Sequence, residues 1–192
     1  MRMLLIGAPG AGKGTQAELI AERFGITHIS SGDLLRKHVD EGTSIGRSAK
    51  EYLSRGDLVP DAIVMDMLRK PVVAASEAGG YVLDGFPRTV DQAKAAYETA
   101  SSLGVAVEVA VYLEVEAAEL TRRLLARGRG QDDRPEVIEH RLSVFEAKTR
   151  PMLDYYAQRE ELITVNGARP VPEVAWSITV QLQQVRRRTS TG

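Results

Sequence analysis

One short segment near the amino terminus restricts the fold more than any other part of the chain. Residues 7–15 read Gly-Ala-Pro-Gly-Ala-Gly-Lys-Gly-Thr and follow an apolar run at 1–6. After this segment, apolar residues recur at helical spacing until Gly25, a residue type that commonly ends a helix. A strand, a glycine-rich turn and a helix in this order begin an α/β unit whose loop can bind phosphate.

The glycine-rich segment has the residue types that a phosphate site requires. Glycines let backbone N–H groups point at phosphate oxygens, the helix start adds a partial positive charge, and Lys13 adds a full charge. We therefore predict that a nucleoside triphosphate binds through Gly10, Ala11, Gly12, Lys13, Gly14 and Thr15. In the common motif Ser or Thr directly follows the Lys, whereas Gly14 intervenes here, so we expect magnesium to be held partly through water.

Strand and helix patterns alternate along the rest of the chain. Apolar runs at 81–83, 105–113 and 162–165 predict strands, and helical patterns separate each from the next. This alternation predicts an α/β fold, with a mostly parallel sheet covered by helices on both faces.

Three helical regions lie between these strands. The stretch from 33 to about 76 has no strong strand signal and is predicted as a helical excursion from the sheet. Its expected breaks are Gly42, Gly46, Gly56 and Pro60. Residues 116–127 and 135–157 predict two further helices, the second kinked or divided by Pro151. The polar, glycine-containing loop 128–134 between them has a composition typical of a mobile segment.

The composition argues against several classes of protein. The 192 residues include no cysteine, which rules out disulfides, iron–sulfur clusters and thiolate zinc sites. A formal net charge of −1 gives no overall attraction to nucleic acid or anionic membranes. The first apolar run is too short for a signal peptide, and no stretch approaches the roughly 18 apolar residues of a membrane span. We expect one soluble, cytoplasmic domain spanning 1–192.

The chain resembles adenylate kinases and their nucleoside monophosphate kinase relatives. The loop shares the GKGTQ sequence with that family, 30–36 is similar to its SGDLLR segment, and 84–89 is similar to its DGFPRT segment. The order and spacing of these motifs match the family over nearly the whole chain. The resemblance implies a phosphate-loop kinase fold with a five-stranded parallel sheet, an AMP-binding subdomain at 30–59 and a short lid at 126–132.

The same resemblance implies reversible phosphoryl transfer from Mg·ATP to AMP, giving two ADP, in a monomer that uses Mg²⁺ and no zinc. The AMP-binding residues that it implies are Ser31, Arg36, Asp57, Leu58, Val59, Gly85, Phe86, Pro87, Arg88, Gln92, Arg129 and Arg141. The ATP-binding residues that it adds to the loop are Arg123, Arg127 and Arg169. The catalytic residues that it implies are Lys13, Asp84, Arg88, Arg123, Arg129 and Arg141.

Residue chemistry alone leaves some of these roles open. Asp84 ends an apolar strand at the ligand-binding edge of the sheet, where it either organises Mg²⁺ or its waters, or caps the next turn. Arg123 and Arg127 lie four residues apart, a pattern that a solvated basic helix face also gives. Gln92 shares a helix face with Arg88 and offers adenine both donors and an acceptor, although most glutamines on helices face solvent.

The lid departs from the family pattern by one residue. Arg129 stands three residues before Asp132, where two would be expected. The spacing from the Asp132-Asp133 pair to Arg141 matches the family.

Two other functions remain as alternatives. A uridylate-cytidylate kinase has the same plan, but we would expect Asn in place of Gln92 and Ala in place of Ser31. A nucleotide sensor would need no second phosphate site, whereas Arg36, Arg88 and Arg141 are predicted to form one.

Overall fold

The centre of the protein is a parallel β-sheet. The computed structural model describes residues 1–128, 133–159 and 162–189, except for the side chains of 186–189. The strands are β1 (Arg2–Ile6), β2 (Thr27–Ser30), β3 (Tyr81–Asp84), β4 (Val109–Glu114) and β5 (Leu162–Asn166). They form a five-stranded sheet in the order β2-β3-β1-β4-β5, and all neighbouring pairs are parallel. The predicted α/β class is confirmed.

Helices surround this sheet. They are α1 (Lys13–Phe24), α2 (Ser31–Asp40), α3 (Ser44–Arg55), α4 (Asp61–Glu77), α5 (Val90–Ser102), α6 (Ala117–Arg127), α7 (Pro135–Val144), α8 (Met152–Ala157) and α9 (Val171–Thr189). A π-helical turn, Phe145–Thr149, follows α7. No helix within the described residues combines the length and the apolar character that crossing a membrane requires.

The strand register places the two main sequence motifs side by side. β1 lies between β3 and β4, and its residue Leu5 is paired with Asp84 at the end of β3. Strands β1, β3 and β4 are buried almost throughout, as expected for parallel strands covered on both faces. The loop after β1 and the turn after β3 therefore emerge next to each other at the carboxyl edge of the sheet, where ligands bind in this class of fold.

One strand was missed and one predicted strand begins too early. No strand was predicted at β2, because this four-residue edge strand buries only Ile29. The strand predicted at 105–113 begins later, at Val109, which pairs with Met3. Val105 instead donates its backbone N–H to Ala100, so it closes the turn after α5.

The glycine and proline predictions are mostly correct. Gly25 ends α1 with a φ of 63°, and Pro151 immediately precedes α8. Gly46, predicted as a break, lies inside α3. A Cβ atom at Gly46 would lie 1.9 Å from the carbonyl oxygen of His38, so this glycine permits close packing of α2 on α3 instead of ending a helix.

Candidate active site

The glycine-rich loop between β1 and α1 has an unusual backbone. Gly10 and Gly12 have φ values of 86° and 93°, a left-handed region that glycine adopts without strain. A Cβ atom at Gly10 would also lie 3.0 Å from the carbonyl oxygen of Leu120 on α6. Both glycines are therefore needed for the path that the chain takes into α1.

The amino end of α1 differs from the starts of three other helices. The side chains of Ser30, Thr43 and Thr89 accept a backbone N–H bond at the starts of α2, α3 and α5. No side-chain cap bond is present at Gly12, the residue before α1, within the described part of the chain. Among the described residues α4, α6 and α7 also lack such a bond, but only α1 follows the glycine-rich loop and carries Lys13 at its start, so its first N–H groups are placed to bind an anion, which the helix dipole also favours.

Lys13 folds back over the same loop. Its Nζ donates hydrogen bonds to the carbonyl oxygens of Gly7, at 2.9 Å, and Ala8, at 3.2 Å. Burial lowers the pKa of Lys13 to about 8 because it disfavours the charged form, while Asp84 acts in the opposite direction. The ammonium group is thus partly desolvated and lies ready to pair with phosphate.

Arginines from three other segments act electrostatically on Lys13. Arg88, Arg141 and Arg127 all lower its pKa through like-charge repulsion. Arg88 follows β3, Arg141 lies on α7, and Arg127 ends α6. The fold therefore brings four predicted site residues close together, namely Lys13, Arg88, Arg127 and Arg141. Negative charge on a bound ligand would be stabilised among them.

Asp84 is the acidic member of this group. It is 8% exposed, and its Oδ1 atom has no hydrogen-bond partner within the described residues. A buried carboxylate oxygen without a donor is unfavourable by itself. It suits the water shell of a Mg²⁺ ion that is bound mainly by nucleotide phosphates, so the residues present fit that metal.

A first small cavity, of about 20 Å³, lies between α2, α3 and the turn after β3. It contains many of the residues predicted to bind AMP. The lining residues that were predicted to bind AMP are Ser31, Asp57, Leu58, Val59, Gly85, Phe86, Arg88 and Gln92.

A second cavity, of about 80 Å³, connects this region with the glycine-rich loop. Arg88, Gly85 and Leu58 line both cavities. Lys13 and Arg141 line the second one, as does Pro87, another predicted residue. The two cavities are therefore adjacent, and the second one extends from the wall that they share to Lys13.

Arg88, which lies between the two cavities, is fixed at three points. Its Nε donates to the carbonyl oxygen of Gly85 at 2.6 Å, and its backbone N–H donates to Gln92 Oε1 at 2.7 Å. Thr149 Oγ1 donates to its carbonyl oxygen at 2.8 Å. The sequence suggested that the turn would fix Arg88, but it gave no signal for Thr149, which lies 61 residues away.

Gln92 is more tightly engaged than the sequence suggested. It is 3% exposed, and its Nε2 donates to Asp61 Oδ1 at 2.6 Å. Together with the bond from Arg88, this gives both ends of the amide a protein partner. Asp61, at the start of α4, was not singled out from the sequence.

The arginines of α6 make different contacts from each other. Arg123 bonds to Glu119 at 2.7 Å and to the carbonyl oxygens of Gly167 and Ala168 at 3.0 and 3.3 Å, so it ties α6 to the turn after β5. Arg127 forms two bonds, of 3.0 and 2.5 Å, with the buried carboxylate of Asp133.

Glu119 was not predicted from the sequence. Hydrogen bonds from Arg122 and Arg123 lower its pKa to about 2, so it remains a charged anchor for the side chain of Arg123. Arg169, predicted to bind ATP, is exposed in the same turn as Ala168.

Segment 30–59 is docked against α7. Asp57 Oδ1 lies 2.7 Å from His140 Nε2, and a Cβ at Gly56 would lie 2.7 Å from Arg141 Cγ. Arg36 forms an ion pair with Asp33.

Part of the predicted lid lies outside the described residues. This part is 129–132, and it includes Arg129, for which the sequence predicts contacts with the transferring phosphate and AMP.

The fold and the site together define a phosphate-loop nucleotide kinase. The loop, the converging arginines and the adjacent second cavity are features of this class. The adenylate kinase family model matches residues 5–161, and the chain belongs to that family.

Proteins with similar sequences are named adenylate kinases. The chain is 46% identical over 174 residues to an adenylate kinase of Mycobacteroides abscessus, covering 91% of this chain and 94% of that protein. It is 45% identical over 181 residues to an adenylate kinase of Leptospira biflexa (92% and 97%). It is 44% identical over 181 residues to one of Synechococcus sp. strain RCC307 (94% and 98%).

Proposed function

We propose that this enzyme catalyses reversible phosphoryl transfer from Mg·ATP to AMP, giving two ADP, and so maintains the balance of adenine nucleotides. The observation that carries this proposal is the pair of adjacent cavities, one beside Gln92 and one beside Lys13, with Arg88 in the wall that they share. A protein that only sensed ATP would need no such second site. We further propose that it acts as a cytoplasmic monomer.

ATP binds with its phosphates on the glycine-rich loop, at the uncapped end of α1. Lys13 neutralises the outer phosphates, and Mg²⁺, when bound, neutralises further phosphate charge. Asp84 would help to hold this ion by accepting hydrogen bonds from its water ligands. Arg123, Arg127 and Arg169 cover the nucleotide, whereas Arg129 from the lid contacts the transferring phosphate and AMP.

The acceptor requires no general base, because the phosphate of AMP is already an anion. One of its oxygens forms a bond to the γ-phosphorus of ATP, and the bond from that phosphorus to the bridging oxygen of ADP breaks. Arg36 and Arg88 hold the AMP phosphate, while Lys13, Arg88 and Arg141 stabilise the negative charge spread over the transferring group.

Entry of AMP requires movement of segment 30–59. The two cavities have volumes of about 20 and 80 Å³, well below the roughly 300–1,000 Å³ of pockets that enclose small-molecule ligands. We infer that this segment swings away from α7 to admit AMP, which breaks the contact between Asp57 and His140, and then closes over a site that the bound nucleotide keeps wider. Closure then excludes water, which would otherwise accept the phosphoryl group.

The choice of acceptor tests the function. We expect kcat/KM for AMP to exceed that for CMP or UMP by at least about a hundredfold, because a site built to hydrogen-bond one base leaves its polar groups unpaired with another. A coupled ADP-production assay with Mg·ATP and each monophosphate measures this ratio. Comparable rates with CMP or UMP would indicate a uridylate-cytidylate kinase, and ATP binding without acceptor-dependent ADP would indicate a sensor.

A further inference from the structure

The buried amide of Gln92 has a fixed orientation. Its Oε1 faces the backbone N–H of Arg88, at 2.7 Å, and its Nε2 faces the carboxylate of Asp61, at 2.6 Å. A backbone N–H can only donate, and a carboxylate can only accept. Rotating the amide by 180° would replace both hydrogen bonds with repulsive contacts, so the two neighbours determine which end is oxygen and which is nitrogen.

This orientation leaves a defined pattern of unused hydrogen-bonding capacity. Counting the described residues only, one N–H of Nε2 and one lone pair of Oε1 remain available, and Gln92 lines the first cavity. Adenine presents a ring-nitrogen acceptor next to an amino donor, which fits one donor beside one acceptor. A 6-oxopurine presents the reverse, a ring N–H donor next to a carbonyl acceptor, and its exchange of donor and acceptor would fit the rotated amide.

Asp61 lies outside the set of residues that line this cavity. It is exposed at the first position of α4, where any carboxylate stabilises the helix dipole. That effect alone does not require contact with Gln92, which is 31 residues away in the chain. The hydrogen bond and the dipole effect are two separable consequences of the same side chain.

We propose that Asp61 is a positioning residue for base specificity, which holds the Gln92 amide in the orientation that selects adenine over 6-oxopurines. The proposal rests on the function proposed above, because it requires the base of the acceptor to lie beside Gln92. Asp61 acts through Gln92 and does not itself touch the substrate.

Three substitutions separate this role from a structural one. Asp61→Ala removes the acceptor and the charge. Asp61→Asn removes the charge but keeps an oxygen that can accept from Nε2. Asp91→Ala removes another exposed carboxylate from the first turn of a helix, α5, and serves as the matched control.

The measurement is kcat/KM with AMP and with IMP for each protein, at saturating Mg·ATP. In Asp61→Ala we expect the preference for AMP over IMP to fall about tenfold, the effect of losing one hydrogen bond to a charged group. The preference should remain within about twofold of wild type in Asp61→Asn and Asp91→Ala, since neither loses the acceptor that orients the amide.

The outcomes distinguish the two proposals. A wild-type enzyme without AMP-dependent ADP production overturns the proposed function and this inference with it. An active wild type whose preference is unchanged in Asp61→Ala, or shifts equally in Asp61→Asn, overturns the role of Asp61 alone. If Asp61→Ala melts below the assay temperature, Asp61→Ser replaces it, because serine suits a helix start but is too short to reach Gln92.

Discussion

The two halves of the site hold their ligand-binding groups in different ways. On the ATP side, the glycine-rich loop offers backbone N–H groups at the amino end of α1, with Lys13 as its charged side chain. On the AMP side, two predicted binding residues have partners in distant segments, because Thr149 bonds to the backbone of Arg88 and Asp61 bonds to the side chain of Gln92. Local backbone conformation therefore shapes the phosphate loop, whereas contacts between separate segments help to position Arg88 and Gln92.

This difference predicts how each half responds to substitution. A change in the loop removes charge directly from the place where phosphate binds. A change behind the AMP site moves a binding group without removing it, so its effect should be smaller and confined to one substrate.

The largest expected effect is that of Lys13→Met. Removing this charge should lower kcat by at least about a hundredfold, the usual loss when one transition-state partner is deleted. Steady-state kinetics measure the effect, and circular dichroism should show an unchanged fold because the side chain packs over an open loop. Lys94→Met, at an exposed position of α5, is the matched control and should keep full activity. Unchanged activity in Lys13→Met would refute the assignment of the phosphate loop.

A smaller effect is expected for Thr149→Val. Valine fills nearly the same volume but cannot donate to the carbonyl oxygen of Arg88, so the arginine loses one of its three anchors. We expect KM for AMP to rise about fivefold, as for the loss of one neutral hydrogen bond, with KM for ATP unchanged.

The matched control for this substitution is Thr179→Val. Thr179 is also buried, but it bonds to Ala175 within its own helix, α9. It should lose stability without any change in KM for AMP. Equal changes in KM for both nucleotides in Thr149→Val would show that the AMP side is not held separately.

The smallest effect is expected where segment 30–59 meets α7. The hydrogen bond from His140 is the main reason why the pKa of Asp57 lies below its usual value. A lowered carboxyl pKa means that the contact stabilises the docked state fully above about pH 4 and loses this effect as the pH falls. Because the pair is partly exposed, His140→Ala should change KM for AMP by only about twofold.

An NMR titration of the Asp57 carboxyl group tests the cause. Its pKa should rise toward the usual value in His140→Ala and stay low in Glu139→Ala, which removes an exposed neighbour on α7. A tenfold loss of affinity for AMP in His140→Ala would contradict the view that the closed state depends little on this one contact.

The contrast between local conformation and distant contacts also explains which features could be predicted from the sequence. The loop, the end of α1 at Gly25 and the start of α8 after Pro151 follow from local conformational preferences of glycine and proline, which act within a few residues. The register of parallel strands then brings Asp84 beside the loop.

The missed features depend on contacts between distant segments. β2 is a strand because it pairs with β3, since its own residues bury little. Gly46 continues a helix because α2 lies against it. Asp61 and Thr149 are ordinary helix residues by type, and only the fold places them behind Gln92 and Arg88.

The bare amino end of α1 makes the thermal stability of this protein depend on its surroundings. No side chain within the described residues caps its first N–H groups, so phosphate binding stabilises these groups and the partly desolvated Lys13, whereas an unfolded chain has no such site. A ligand present at a hundred times its dissociation constant adds about 2.7 kcal/mol to the stability of the folded state. The melting temperature therefore depends on the concentration of nucleotides around the enzyme. In a cell depleted of nucleotides, the same chain would be less stable and more easily degraded.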